Sequence, residues 1–154
     1  MEDADRWKST VEIMDLASRY TRSGDTGREA DFAELFTANG IFEVGERRSA
    51  KGLEQIRDLM ADVKRAFSTA PPTFFPARHH VSSLNVRFEE DGRASGRSYF
   101  LLVGGWGPDH WGTYRDRYEL TPEGWRFSYR RATMEGAVPH SPMTFLLHDG
   151  PWPE

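Results

Sequence analysis

The sequence predicts an α+β fold in which one bent antiparallel sheet wraps three N-terminal helices. Helical periodicity is confined to the first part of the chain, up to about residue 67. Strand-like runs separated by hairpin-type turns then fill residues 78–134. The length of 154 residues suits a single hydrophobic core, so one domain over 1–154 is the expectation.

In residues 3–23, Ile13, Leu16, Ala17 and Tyr20 recur at i, i+3, i+4 and i+7, with Trp7, Val11 and Met14 on an adjoining stripe. A helix buried on more than one side is expected, ending at Ser23-Gly24-Asp25. Thr26 and Glu29 have capping-box spacing ahead of Ala30, Phe32, Ala33, Leu35 and Phe36. That predicts a second helix, joined to the first at Asp25. Asn39-Gly40 marks a turn and Ile41 to Val44 a short strand, and Leu53, Ile56, Met60, Val63 and Phe67 give a third helix after Gly52.

Residues 68–77 read as a proline-rich loop carrying two exposed-looking phenylalanines, Phe74 and Phe75. Strands are expected at about 78–88, 93–104, 110–120 and 125–134, punctuated by Asp91-Gly92, Gly105-Trp106-Gly107-Pro108 and Pro122-Glu123-Gly124. The tail, 136–154, holds Pro139, Pro142, Pro151 and Pro153 and is expected to cover a cavity or make a subunit contact.

Composition narrows the function classes. A net charge of −4 with no long basic run argues against nucleic acid as a partner. The absence of cysteine excludes disulfides, thiolate nucleophiles and Cys-based metal sites. The N-terminus has neither a basic start nor an apolar core, and no apolar run is long enough to span a membrane, so a cytoplasmic protein is the expectation. The other histidines, His110, His140 and His148, are widely spaced without His-x-His or His-x3-His pairs, so no metal is expected. Gly104-Gly105-Trp106-Gly107 sits between two strands and reads as a hairpin, not a phosphate loop, so no nucleotide cofactor is indicated.

Several motifs in order carry a resemblance: Tyr20-x4-Asp25; Phe36; Asn39-Gly40-Ile41-Phe42; the run Lys51 to Ile56; Arg78-His79-His80-Val81-Ser82-Ser83-Leu84-Asn85; Gly112-Thr113-Tyr114; and Gly124-Trp125-Arg126-Phe127. Over residues 5–135 the chain resembles SnoaL-like members of the nuclear transport factor 2-like superfamily. The resemblance implies a cone-shaped, cystatin-like α+β barrel around a cavity. Its functions are diverse, since dehydratases, isomerases, cyclases, dehydrochlorinases and binding proteins share the scaffold.

The functional pattern most similar is that of bile acid 7α-dehydratase and hexachlorocyclohexane dehydrochlorinase, in which an Asp–His pair removes a proton and a leaving group departs. The resemblance implies Asp25 as the aspartate, His80 as the base and Arg130 as the arginine. Tyr20 stands where the dehydratase has tyrosine. Similarity to scytalone dehydratase is partial, because no strand-borne match to its second histidine is evident.

These residue types suit the chemistry. A neutral imidazole with an ordinary pKa of roughly 6.5 is a competent base near neutrality, and its activity should rise between about pH 5.5 and 7.5. A carboxylate can fix its tautomer, Tyr20 can donate to a carbonyl or departing hydroxyl, and Arg130 can hold developing charge or orient Asp25. Plainer roles remain for each: Tyr20 as a core aromatic, Asp25 as a helix cap, the imidazole as a structural group.

Strand alternation prevents His79 and His80 from facing one pocket. His80 shares its face with Ser82, Leu84, Val86 and Phe88, the more apolar set, which favours His80 inward. The same alternation groups Arg130 with Arg126 and Ser128, opposite Trp125, Phe127 and Tyr129. An inward Arg130 then requires the aromatic face to pack elsewhere, for instance between subunits, or a bulge to shift the register, with Arg131 as the alternative. Phe42, Met60, Tyr99, Trp106 and Trp111 are candidates for an apolar substrate pocket.

The expectation is a cofactor-independent lyase acting on a hydrophobic cyclic molecule such as a polyketide, steroid or terpenoid, in a homotrimer or homodimer. An isomerase or cyclase is the nearest alternative. A small-ligand binding module, or a subunit like the β chain of ring-hydroxylating dioxygenases, is the non-catalytic one.

Overall fold

The computed structural model describes residues 3–148; Met1, Glu2 and the end of the tail with Pro151 and Pro153 lie outside the described residues. Helix α1 (Asp3–Thr26) continues through Ser23-Gly24-Asp25 and breaks at Gly27, whose φ of +65° is left-handed. Asp25 is therefore in the last turn of α1 and not between two helices. The Thr26 hydroxyl donates to the Arg22 carbonyl at 2.7 Å, one turn back, so no capping box forms. Helix α2 (Glu29–Ala33) is correspondingly short. Only one stripe of α1 is buried, with Ile13, Leu16, Ala17 and Tyr20 inward. Trp7, Val11 and Met14 are exposed, against the expectation of burial on more than one side.

Strand β1 (Phe36–Val44) starts where helix was expected and passes through Asn39-Gly40 without turning back. A Cβ on Gly40 would lie 2.9 Å from that of Phe36, so the kinked strand needs glycine there. A short β2 (Arg48–Lys51), which the sequence pattern does not announce, pairs with β1. Helix α3 (Leu53–Phe67) follows as expected after Gly52. A 3-10 turn at Pro72–Phe74 leads into β3 (Arg78–Phe88), β4 (Arg93–Gly104), β5 (Gly107–Thr121) and β6 (Gly124–Ala137). Phe74 is fully buried against Gly104, where a Cβ would meet its ring at 2.2 Å, while Phe75 is partly exposed and packs edge-on against Phe74 at 5.2 Å.

The strands form a six-stranded sheet in the order β2-β1-β6-β5-β4-β3. It is mixed, because β1 runs parallel to β6 while its other pairings are antiparallel. Helix α1 packs on β3 and β6, and α3 on β1 and β2. An aromatic core of Tyr20, Phe32, Phe36, Phe42, Tyr114, Tyr118 and Phe127 fills the space between.

Two bulges decide which residues face this interior. In β3 the register shifts between Ser82 and Asn85, with Ser83 at φ +55°. His79 and Val81 point inward before the bulge, and Leu84, Val86 and Phe88 after it. His80 is exposed on the outer face. In β6, Phe127 pairs with Tyr118 but Tyr129 with Arg117, so Ser128 is the extra residue. Trp125 and Phe127 are inward before it and Arg130 after it. The expected outer aromatic face is thus mostly core, and it no longer argues for a subunit interface.

Candidate active site

A cavity of about 660 Å³ lies between the helices and the concave face of the sheet. Phe32, Phe42, Met60, Phe67, Phe100, Leu102, Met134 and Met143 supply much of its wall. Of the expected pocket residues, Phe42 and Met60 line it. Tyr99 and Trp111 are instead on the outer face, 59% and 42% exposed. Trp106 packs on Phe74 and donates its indole N–H to Asp109 at 3.0 Å. Alternation explains the first two: Tyr99 and Trp111 are out of phase with the inward Phe100, Leu102 and His110.

The histidine that pairs with Asp25 is His79. Its Nδ1 lies 2.6 Å from Asp25 Oδ1, and its backbone N–H donates to Asp25 Oδ2 at 3.1 Å. The side chains are 21% and 7% exposed, and both residues line the cavity. The pairing of Asp25 with His80 expected from alternation does not form, because the bulge at Ser83 reverses the phase of β3. An ionised Asp25 accepts only, so Nδ1 of a neutral His79 carries the proton and Nε2 is left with its lone pair.

Tyr20 is 8% exposed and lines the cavity beside Tyr114, with ring centroids 5.6 Å apart. Burial pushes its pKa up to about 12, opposed by the positive charge of Arg130 and a hydrogen bond from Tyr114. Burial likewise raises Tyr114. Both hydroxyls therefore stay protonated as hydrogen-bond donors near neutrality.

Arg130 is beneath these rings and does not line the cavity. It is 1% exposed and forms a two-point pair with Asp116, Nε to Oδ1 at 2.7 Å and Nη2 to Oδ2 at 2.8 Å. The guanidinium carbon lies 4.0, 4.2 and 4.1 Å from the ring centroids of Tyr20, Tyr114 and Phe127. Burial disfavours its charge, but Asp116 outweighs that and holds Arg130 above its ordinary value. Arg130 is turned toward Asp116, not Asp25. Arg131 lies on the opposite face, paired with Glu43 at 2.7 Å.

A second Asp–His pair, which spacing rules for metal ligands pass over, completes the wall. His79, Leu102 and His110 form one inward row across β3, β4 and β5. The His110 Nδ1 is 2.7 Å from Asp109 Oδ2, and Asp109 also accepts from Trp106 and from Ser141 Oγ, the latter at 2.7 Å. Burial pushes the His110 imidazole below its ordinary value against the pull of Asp109. Asp109, although penalised by burial, is held below the usual carboxylate range by His110, Ser141 and Trp106. The row pattern on β5 was the available signal: Tyr114, Gly112 and His110 alternate on one face. Ser141 begins the segment whose Met143 and Leu146 line the cavity. Among the described residues, no group of three or more His, Asp or Glu is arranged to hold a metal ion, and no helix is long and apolar enough to cross a membrane.

Residues 5–131 match the family model described as a SnoaL-like domain. A search of curated proteins found no match. Among solved structures, the chain is similar to a single-residue variant of Rv3472 of Mycobacterium tuberculosis, a protein of unknown function, at 25% identity over 90% of this chain and 79% of that one, with a TM-score of 0.73. It is also similar to a scytalone dehydratase-like protein from Novosphingobium aromaticivorans, at 16% identity over 90% and 92% of the two chains and a TM-score of 0.76. A hexachlorocyclohexane dehydrochlorinase, LinA type 2, matches at 21% identity over 91% and 94% of the chains, with a TM-score of 0.74. At these last two identities the likeness establishes the fold alone, the cystatin-like, nuclear transport factor 2-like architecture expected from the sequence.

Proposed function

The chain belongs to the SnoaL-like domain family, and from its cavity we propose that it is a cofactor-independent lyase that eliminates water from a hydrophobic cyclic ketone or a related enolisable molecule. The observation that carries this is the Asp25–His79 pair, held at 2.6 Å on the wall of a largely apolar cavity with two tyrosine hydroxyls. Polyketide-like, steroid-like or terpenoid rings fit its size and lining.

In the proposed reaction, His79 Nε2 takes the proton from a carbon next to a carbonyl, while Asp25 stabilises the imidazolium through Nδ1–H. The electron pair of the C–H bond moves into the enolate, whose oxygen accepts from Tyr20, itself accepting from Tyr114. The enolate then expels a hydroxyl from the adjacent carbon, and the imidazolium returns its proton to that oxygen as water departs. Atoms and charge balance, and His79 ends neutral. Arg130 acts as a positioning residue, since its charge beneath Tyr20 favours negative charge developing above it.

The same groups favour a second reading, isomerase or cyclase. If the imidazolium returns its proton to carbon, a double bond moves instead of a leaving group departing.

The test is solvent exchange. The purified protein in D2O is incubated with a bicyclic β-hydroxy ketone, and both deuterium entry beside the carbonyl and enone absorbance are followed. Exchange with enone formation that is lost in His79→Gln supports the lyase. Exchange without enone favours the isomerase, and neither signal across a ketone panel returns the protein to a binding role.

A further inference from the structure

We propose that His110 is a hydroxyl-binding group of the cavity, its Nε2 accepting a hydrogen bond from a hydroxyl on the ring of the bound molecule. Asp109, fully buried, accepts from Trp106, His110 and Ser141. An ionised carboxylate has no proton to give, so the His110 Nδ1 is the donor and the ring's free lone pair is at Nε2. Two further donors hold Asp109, which fixes this tautomer.

The hydrogen bonds of both rings among the described residues are made at Nδ1, leaving Nε2 of His79 and of His110 to the cavity. Both rings line the same cavity, with centroids 6.1 Å apart and planes at 80°. The surroundings of His110 are apolar: Phe67 and Phe100 have their ring centroids 6.0 Å from it, and Leu102 lies between the two imidazoles. Facing the cavity, this acceptor can bond water, and an occupant bearing a donor keeps that bond while an ether of the same shape displaces the water without replacing it.

The position relative to His79 deepens the proposed function and rests on it. A C–H carbon about 3–3.5 Å from one base and a hydroxyl oxygen about 2.8 Å from the other nitrogen can belong to one ring spanning the two imidazoles. The substrate class is then a hydroxylated ring whose acidic C–H faces His79. His110 receives no proton in the reaction; it orients.

The experiment uses the full-length protein with 2-naphthol and 2-methoxynaphthalene, which share a shape and differ in the donor. Wild-type protein should bind 2-naphthol about 3- to 10-fold more tightly, the range of one neutral hydrogen bond. His110→Phe should abolish the difference, and His80→Phe, on the outer face of β3, should retain it. Because His110→Phe leaves Asp109 short of a donor and can misfold, nitrogen NMR of the wild-type imidazoles supplies an independent reading. His110 should carry its proton on Nδ1, and its Nε2 signal should move with 2-naphthol but not with 2-methoxynaphthalene. A preference that survives in a folded His110→Phe, a proton found on Nε2, an unmoved Nε2 signal, or failure of both probes to bind overturns the proposal. These outcomes read binding at one nitrogen, so a failed proton-exchange assay leaves them unchanged and overturns only the lyase reading.

Discussion

His79 and His80 are adjacent in β3, yet His79 shares two hydrogen bonds with Asp25 while His80 is exposed on the other face, opposite Leu101 of β4. With a turnover or exchange assay in hand, His79→Gln should lower kcat by about 10²-fold or more, the usual scale of a general base. His80→Gln should change it by less than about twofold. Equal losses from both would remove the assignment of the base.

Asp25→Asn keeps the size of the side chain but not its charge. The amide presents both a donor and an acceptor, so it neither fixes the His79 tautomer nor stabilises imidazolium. We expect a large fall in kcat with an unaltered circular dichroism spectrum. Activity within a few fold of wild type would show that orientation of His79 does not depend on the carboxylate.

Tyr20→Phe removes a donor aimed at developing negative charge, and Tyr114→Phe removes the hydroxyl that donates to Tyr20. Their effect should fall mainly on kcat, by about 10- to 10³-fold, because such a bond strengthens as charge accumulates in the transition state. A change confined to KM would make the hydroxyls ground-state contacts only.

Removing one partner from the Arg130–Asp116 pair leaves a buried charge without its counter-charge. Arg130→Met should cost about 3–5 kcal/mol in urea unfolding. Adding Asp116→Leu should recover much of that loss, since removing both charges avoids the stranded one. A double variant as unstable as the single one would show that the cation–ring packing dominates.

Stability should also fall toward acid. The folded-state pKa of His110 is depressed below its ordinary 6.5, so its contribution is present above that value and is lost as pH falls through the folded-state pKa. Asp109 is held below 3.8, and its contribution is lost at lower pH still. Melting temperature measured from pH 7 downward should therefore begin to drop near pH 6.5. That first decline should flatten in His110→Phe.

Much of the architecture is readable in the chain. Leu53 to Phe67 has clean helical periodicity, and the four long strands from Arg78 onward alternate between turn signals. The site is only partly readable, for a local reason. Alternation propagates a facing assignment from one end of a strand to the other, and Leu84, Val86 and Phe88 are indeed inward. At Ser83 that inference passes through a left-handed residue and emerges with the wrong histidine. The equivalent break at Ser128 allows Phe127 and Arg130 both to face inward, an arrangement for which the sequence pattern left a bulge as one of two explanations. Ser83 does not advertise itself, since the αL region more commonly draws glycine, asparagine or aspartate, and nothing in the residue type of Ser128 marks a bulge. His110 was legible as an alternating residue but not as half of a pair, because Asp109, beside it in β5, reaches its ring only through the fold.

The bulge at Ser83 bears on how this chain should be compared with its relatives. In a strand, facing is a parity, and one inserted or deleted residue changes the parity of everything on one side of it. An alignment that closes up a gap at Ser82-Ser83 will stack His79 in the column of an outward residue while leaving the downstream columns correct. Percentage identity hardly registers the error, yet the histidine paired with Asp25 moves to the wrong side of the sheet. Gap placement at this dipeptide, anchored on the Asp25 partner rather than on the neighbouring hydrophobic residues, determines which histidine of a related sequence is counted as the aspartate's partner.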